Sequence, residues 1–231
     1  MDKVPLILLP GSLCDERLWE KVNVSKHAEV KVCDVSKADT IEGMAKSVLE
    51  KAPDKFALAG LSLGGIISLE MMRLAPDRVM KLALLDTNPN PPSLEQIAGW
   101  ERFIDMENNG QFLDITIKHL LPVLIHPDRR NDETLASTII DMAKKIGSEG
   151  YINQLKAVMT RSDQRPILQT ISCPTMVLVG NEDKVCPVHM SEFLTKNIPS
   201  ARLEVVNQSG HLITLEQPVK VSNLLRDWLK S

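Results

Sequence analysis

The segment Gly60-Leu61-Ser62-Leu63-Gly64 places a serine between two glycines, directly after an apolar run that is typical of a buried strand. A serine at a sharp turn from strand to helix needs a strained backbone, and glycines two residues before and after it remove side chains that would collide there. Such a turn exposes the hydroxyl above the sheet as a nucleophile. The pentapeptide alone also fits an N-cap serine between turn glycines, but the strand before it and the helical pattern after it favour the nucleophile.

A histidine near the C-terminus is the best-placed base for this serine. A serine hydroxyl is a weak nucleophile at neutral pH and needs a base to accept its proton. Of the five histidines, His211 lies just after the last predicted strand and before the closing helix, where the chain order serine, acid, histidine would put the base. His27, His119 and His126 have the patterns of surface or helix-face residues. His189 lies near the carboxyl edge of the predicted sheet and is a candidate for lining the pocket.

A carboxylate must orient such a base and stabilise its charged form. Glu182 and Asp183 both follow the predicted strand at 175–180, at the carboxyl end of that strand. Adjacent residues in an extended loop point in opposite directions, so only one of them can face the histidine. We predict that Asp183 does so; the alternative for either residue is a loop acid in water.

Two backbone N–H groups are candidates for binding an oxyanion, which needs preorganised donors. One is the N–H of Leu63, immediately after the serine. The second is the N–H of Ser12 in the loop after the first predicted strand, where Gly11 lets the backbone approach the site. The alternative for Ser12 is an ordinary turn serine.

Substrate contacts are expected from the loops beside these motifs and from a helical region that follows residue 88. The candidates are Leu13, Cys14, Cys186 and Trp100. Ordinary packing is the alternative for each of them. Few basic residues adjoin the motifs, which disfavours a polyanionic substrate, and Arg129, Arg161 and Arg165 are the candidates for holding a substrate carboxylate.

Short apolar runs alternate with helical patterns along most of the chain. Strands are predicted over 4–9, 29–35, 56–61, 79–85, 175–180 and 202–206, and helices over 40–51, 66–75, 189–198 and 219–229. This alternation indicates a mostly parallel sheet covered by helices on both faces. Residues 89–165 contain no convincing strand and show helical patterns over 93–108, 111–121, 132–146 and 150–161. We therefore predict a core of residues 1–88 and 166–231 with a helical cap, residues 89–165, inserted between its halves.

Composition excludes several classes of function. The 231 residues are 43% hydrophobic and 25% charged, with a net charge of −3, so neither a nucleic-acid nor a membrane-surface partner is expected. Nothing approaches the roughly 18 apolar residues of a membrane-spanning helix, and the N-terminal apolar stretch is too short for a signal peptide, so a cytoplasmic location is expected. The four cysteines are spread out without metal-ligand spacing, which predicts neither a disulfide framework nor a metal site. The sequence leaves the oligomeric state open.

These motifs, in their order along the chain and in their positions on the predicted strands and helices, resemble those of the α/β-hydrolase family. The resemblance covers the chain apart from the cap. Leu8-Leu9-Pro10-Gly11 is similar to the family's first strand followed by His-Gly, with Pro10 where many members have histidine, and Gly210-His211 with Glu216-Gln217-Pro218 is similar to its histidine loop and closing helix. The resemblance implies an α/β-hydrolase fold, a mostly parallel sheet flanked by helices with a small helical cap insertion.

The function that these observations imply is that of a serine hydrolase. We expect Ser62, His211 and Asp183 to cleave a small-molecule carboxylic ester, or a related acyl bond, through an acyl-enzyme and without a cofactor or metal. A carbon–carbon bond hydrolase or lyase using the same three residues is an alternative, which active-site arginines in contact with a substrate carboxylate would favour. A non-catalytic small-ligand receptor on the same fold is another, although a receptor has less need of all three residues. Fold alone does not choose among them.

Overall fold

Six parallel strands form one sheet in the computed structural model, which describes residues 3–230. The strands are β1 (Val4–Leu9), β2 (Ala28–Val32), β3 (Phe56–Leu61), β4 (Val79–Leu85), β5 (Thr175–Gly180) and β6 (Ala201–Val206). Their order across the sheet is β2-β1-β3-β4-β5-β6. The predicted fold class is confirmed. Only β2 differs noticeably from its prediction, ending at Val32 because this edge strand pairs with β1 over residues 28–32 and then leaves the sheet.

Helices cover both faces of this sheet. In chain order they are α1 (Ile41–Lys51), α2 (Leu63–Leu74), α3 (Leu94–Asn108), α4 (Phe112–Asp114), α5 (Leu121–Leu124), α6 (Glu133–Met159), α7 (Val188–Asn197), α8 (Ile213–Glu216) and α9 (Pro218–Lys230). A π-helical stretch, Ile115–Leu120, joins α4 to α5. None of the helices within residues 3–230 combines the length and the apolar character needed to cross a bilayer.

The core lies in two layers, one on each side of the sheet. Because successive side chains of a strand point to opposite faces, Leu6 and Leu8 of β1 pack in one layer while Ile7 and Leu9 pack in the other. Every residue of β3 and β5 is buried. Such continuous apolar strands are typical of a parallel sheet covered on both faces.

The segment between β4 and β5 is helical, and its local signals explain where its helices begin and break. The capping box of Ser93 and Gln96 starts α3. Within α6 the backbone departs from helical geometry at Gly147, with φ 72° and ψ 175°, so the predicted helices at 132–146 and 150–161 meet there at a kink. A Cβ at Gly147 would meet no atom within 4 Å, so its positive φ, not a lack of space, favours glycine.

Candidate active site

The turn after β3 holds Ser62 in a strained backbone conformation, with φ 55° and ψ −114°. A Cβ at Gly60 would lie 2.2 Å from the carbonyl oxygen of Gly64, and a Cβ at Gly64 would lie 2.2 Å from that of Leu9. Both positions therefore need glycine because the backbone passes too close for any side chain. Helix α2 begins directly at Leu63, three residues earlier than predicted, so Ser62 lies at its N-terminus.

Ser62, His211 and Asp183 lie within hydrogen-bonding distance in series. The Nε2 atom of His211 is 2.9 Å from Ser62 Oγ, and its Nδ1 atom is 2.7 Å from Asp183 Oδ2. His211 is 2% exposed and Asp183 is 5% exposed, so both groups are shielded from bulk water. The residues come from loops after β3, β5 and β6, at the carboxyl edge of the sheet.

The surroundings of Asp183 keep its carboxyl group ionised. Its Oδ1 atom accepts hydrogen bonds from the N–H groups of Val185 at 2.8 Å and Cys186 at 2.9 Å. Burial alone would raise the pKa of Asp183, but the charge and hydrogen bond of His211 and these two N–H groups outweigh it and hold the pKa below its ordinary value. Glu182, the alternative acid, is exposed.

The two N–H groups predicted to bind an oxyanion are those of Ser12 and Leu63, and both residues line the cavity above Ser62. Within residues 3–230 neither N–H donates a hydrogen bond to a protein acceptor. Gln154 of the cap helix α6 anchors the loop of Ser12. Its Oε1 atom accepts hydrogen bonds from Ser12 Oγ at 3.0 Å and from the N–H of Leu13 at 2.9 Å. Leu13 has a φ of 57°, a conformation that this second bond helps to maintain. The role of Gln154 has no local sequence signal, because it lies within an ordinary helical pattern.

A cavity of about 160 Å³ lies above Ser62, between the core and the cap. Its walls are mainly apolar. Of the predicted substrate contacts, Cys14, Cys186 and Trp100 line this cavity. Leu13 does not line it: its side chain packs into an apolar cluster of the cap, other members of which face the cavity. The polar groups in the lining, besides the residues around Ser62, include Asn88, Gln96, Tyr151 and Arg161.

The other histidines and arginines singled out from the sequence lie outside the cavity lining. His189 is exposed, the ring of His119 contacts that of Phe103 at a tilt of 51°, and His27 is half-buried. Arg129 pairs with Asp132, and Arg165 with Asp163.

Glu216 joins the loop of His211 to the cap. Its Oε2 atom accepts from the N–H of Gly210 at 2.7 Å, and its Oε1 atom accepts from the N–H of His126 at 2.7 Å. The N–H of His211 in turn donates to the carbonyl oxygen of Leu124 at 2.8 Å. Burial raises the pKa of Glu216 despite the hydrogen bonds from these N–H groups. This carboxyl group therefore fixes the loop of His211 against residues 124–126.

Asp86, at the end of β4, is fully buried and has a positive φ of 45°. Its Oδ1 atom accepts from the N–H of Gly180 at 2.9 Å, while its Oδ2 atom has no partner within residues 3–230. Burial, and then the nearby charge of Asp183, raises the pKa of Asp86 well above its ordinary value. The site therefore holds two buried carboxyl groups whose pKa values shift in opposite directions, that of Asp183 toward the ionised state and that of Asp86 toward the neutral state. No sequence motif pointed to Asp86.

Asp86→Asn tests this neutral state through the pH dependence of stability. The folded protein holds the Asp86 proton more tightly than the unfolded chain, so this stabilising contribution is complete below the unfolded pKa of about 4 and is lost as pH rises through the folded pKa. The loss is up to about 1.4 kcal/mol per pH unit. Asparagine is always neutral and keeps an acceptor for Gly180. We therefore expect the stability of the variant, measured by thermal unfolding, to increase relative to that of the wild type as the pH rises above the unfolded pKa.

Asp54→Asn, at an exposed position, is the control for this comparison. Its unfolding profile should follow that of the wild type across the same pH range. Parallel profiles for Asp86→Asn and wild type would show that Asp86 is ionised in the folded protein.

Asp183, Cys186 and His211 place three potential metal-ligand atoms within 4.8 Å of one another. Their chemistry does not fit a metal centre. Asp183 and His211 already bond to each other, and burial raises the pKa of the Cys186 thiol well above its ordinary value, which disfavours the thiolate that binds metals. These three residues therefore provide no metal site.

Comparisons with known proteins agree with the fold described above. The family model described as the alpha/beta hydrolase fold matches residues 9–218. The chain is 24% identical to 3-oxoadipate enol-lactonase 1 of Acinetobacter baylyi, over 100% of this chain and 90% of that protein. It is 26% identical to a 2-hydroxy-6-oxononadienedioate/2-hydroxy-6-oxononatrienedioate hydrolase of a Pseudomonas species, over 80% of this chain and 67% of the relative. A thermophilic esterase from Thermogutta terrifontis superposes with a TM-score of 0.88 at 26% identity, over 98% of this chain and 89% of the esterase.

Proposed function

Since the chain belongs to the α/β-hydrolase family, we propose that it is a serine hydrolase that cleaves small-molecule carboxylic esters or related acyl bonds. The observation that carries this proposal is the series of contacts from Ser62 through His211 to Asp183, at 2.9 and 2.7 Å, below a mainly apolar cavity. The similarity to an enol-lactonase and to an esterase supports acyl chemistry.

In the proposed mechanism His211 accepts the proton of Ser62 through Nε2 while the serine oxygen attacks the acyl carbon. The carbonyl oxygen becomes an oxyanion, which the free N–H groups of Ser12 and Leu63 stabilise. His211 then gives the proton to the leaving alcohol, and an acyl-enzyme remains. Water, activated by His211, hydrolyses that ester and restores the serine. Asp183 holds the Nδ1–H of the ring throughout and stabilises the imidazolium as it forms.

The first test is hydrolysis of short-chain p-nitrophenyl esters together with labelling of the protein by a fluorophosphonate. We expect both reactions, and we expect the label on Ser62. Labelling without ester hydrolysis would instead support the carbon–carbon bond hydrolase. The absence of both reactions would contradict catalysis and favour the receptor.

The carbon–carbon bond hydrolase stays a second candidate because of one specific observation. Arg161 lines the same cavity as Ser62 and His211, the position expected of an arginine that holds a substrate carboxylate. One relative of this chain is a hydrolase of that kind. Turnover of a vinylogous β-diketone acid without turnover of any ester would favour this candidate over the esterase.

Gln154→Met tests whether the cap keeps the loop of Ser12 in the conformation that binds the oxyanion. Methionine has nearly the same length but accepts hydrogen bonds only weakly, so Ser12 Oγ and the N–H of Leu13 lose their partner. Removing an oxyanion donor outright slows turnover about 10²–10³-fold. A displaced loop should cost less, so we expect kcat for p-nitrophenyl butyrate to fall about 10–100-fold.

The control is Asn153→Ala, which removes the adjacent cap-to-core hydrogen bond from Asn153 Nδ2 to the carbonyl oxygen of Ser36. Loss of a hydrogen bond in either variant should cost about 1–3 kcal/mol of stability. Only Gln154→Met should also lower kcat strongly. Equal losses of kcat in the two variants would assign Gln154 a purely structural role.

A further inference from the structure

Arg161 is a buried arginine with 7% exposure, positioned just beyond the end of α6. Its Nε atom donates to the carbonyl oxygen of Asn90 at 2.9 Å, and its Nη1 atom donates to that of Val158 at 2.9 Å. The guanidinium carbon lies 5.3 Å from the centre of the Trp100 ring, which packs against its face. These contacts fix the orientation of the guanidinium group and leave its Nη2 atom without a hydrogen bond to any residue in the described range 3–230.

The charge of Arg161 is not neutralised by a protein carboxylate. Arg17, Arg73, Arg129 and Arg165 each pair with an acidic side chain, but Arg161 forms no ion pair with any acid of residues 3–230. Burial lowers its pKa to about 10, so the group still carries its charge at neutral pH. An unpaired buried charge is costly, and a bound anion would offset that cost.

The position of Arg161 indicates which molecule would bring this anion. Arg161, Ser62 and His211 line one cavity of about 160 Å³, so an anion on Arg161 would share that cavity with the bond under attack. A guanidinium fork matches the two oxygens of a carboxylate. One cation among apolar walls suits a group with a single negative charge better than a phosphate with two.

We propose that Arg161 binds a free carboxylate of the substrate, so that this site prefers small esters or lactones that carry an acid group. The inference deepens the proposed function and rests on Ser62 attacking an acyl bond in the same cavity. It makes Arg161 a substrate-binding residue that determines specificity. Among the other polar residues of the lining, Thr87, Asn88, Gln96 and Tyr151 carry no positive charge that could substitute for it.

Matched ester pairs that differ in one carboxylate test this inference. The acid group is placed on the acyl side in monomethyl adipate against methyl hexanoate, and on the alcohol side in 4-acetoxybenzoate against 4-methylphenyl acetate. In at least one pair we expect the wild type to prefer the acid in kcat/KM by about tenfold to a hundredfold, the range of a charge-assisted hydrogen bond. Arg161→Gln should bring the ratio of the two kcat/KM values to about one, and Arg161→Lys should restore part of the preference for the acid.

Arg165→Gln is the matched control, because Arg165 is an arginine four residues further on that pairs with Asp163 outside the cavity. Its ratio should equal that of the wild type. A wild type without preference in either pair, or an Arg161→Gln variant that slows both members of a pair equally, would overturn the role of Arg161.

Binding measured without turnover separates this inference from the proposed function. Monomethyl adipate and benzoate should raise the melting temperature of Ser62→Ala, and they should raise it less when Arg161→Gln is added. If these acids bind through Arg161 but no ester is hydrolysed, the proposed function fails and the carboxylate site stands. If neutral esters are hydrolysed but neither acid binds, the carboxylate site fails and the function stands.

Discussion

Ser62→Ala is expected to abolish hydrolysis of p-nitrophenyl butyrate, lowering kcat by about 10⁵–10⁶-fold, as the removal of a nucleophilic serine does in serine hydrolases. The alanine keeps the positive-φ backbone and the free N–H groups of Ser12 and Leu63. What disappears is the oxygen that lies 2.9 Å from His211 Nε2. Steady-state kinetics give the loss, and intact mass spectrometry after fluorophosphonate treatment should show no adduct.

Ser137→Ala, on the exposed side of the cap helix α6, is the control for this variant and should keep wild-type kinetics. Thermal unfolding of both variants should stay within a few degrees of the wild type, because Ser62 Oγ contributes to the site and not to the core. If hydrolysis persisted in Ser62→Ala, Ser62 would not be the nucleophile.

Asp183→Asn is expected to lower kcat by about 10⁴-fold at neutral pH, the cost of losing the orienting carboxylate in a related arrangement of groups. The side-chain amide can donate to His211 Nδ1, which forces the proton of the neutral ring onto Nε2. That nitrogen then donates to Ser62 and cannot accept its proton. The acceptor for the N–H groups of Val185 and Cys186 remains in asparagine, so the loop should keep its shape.

Glu182→Gln provides the comparison, since it changes the adjacent acid, which is exposed and has no contact with the imidazole. Its kcat should match the wild type. The tautomer of His211 can be followed by ¹⁵N chemical shifts of the ring, which should change in Asp183→Asn alone. If Glu182→Gln were the more damaging variant, the assignment of the orienting acid would be reversed.

The residues of the candidate site that sequence analysis found are those with strong local patterns. Ser62, Asp183 and His211 each follow a predicted strand, and parallel strands bring their carboxyl ends to one edge of the sheet. The start of α2 was predicted three residues too late because Gly64 and Gly65 suggest a loop. In the structure they are helical, and a Cβ at either position would collide, with Leu9 or with Thr87.

The supporting residues had no such pattern. Gln154 lies 141 residues away from Leu13 along the chain, and the bond between them depends on how the cap packs against the core. The burial of Asp86 and its proximity to Asp183 likewise result from the neighbouring strands β4 and β5. Whether an arginine pairs with an acid likewise depends on the fold, so the sequence offers Arg161, Arg129 and Arg165 as equal candidates. In the structure Arg129 and Arg165 pair with acidic side chains, whereas Arg161 pairs with no acid of residues 3–230.

The bonds that Glu216 and Leu124 make have a mechanical consequence. Leu124 lines the cavity above Ser62, and these hydrogen bonds fasten residues 124–126 to the loop of His211. If residues 124–126 moved outward to admit a molecule, they would pull the imidazole of His211 away from Ser62. Entry by that route would therefore interrupt proton transfer between Ser62 and His211. Proton transfer would resume only after residues 124–126 had returned to their position.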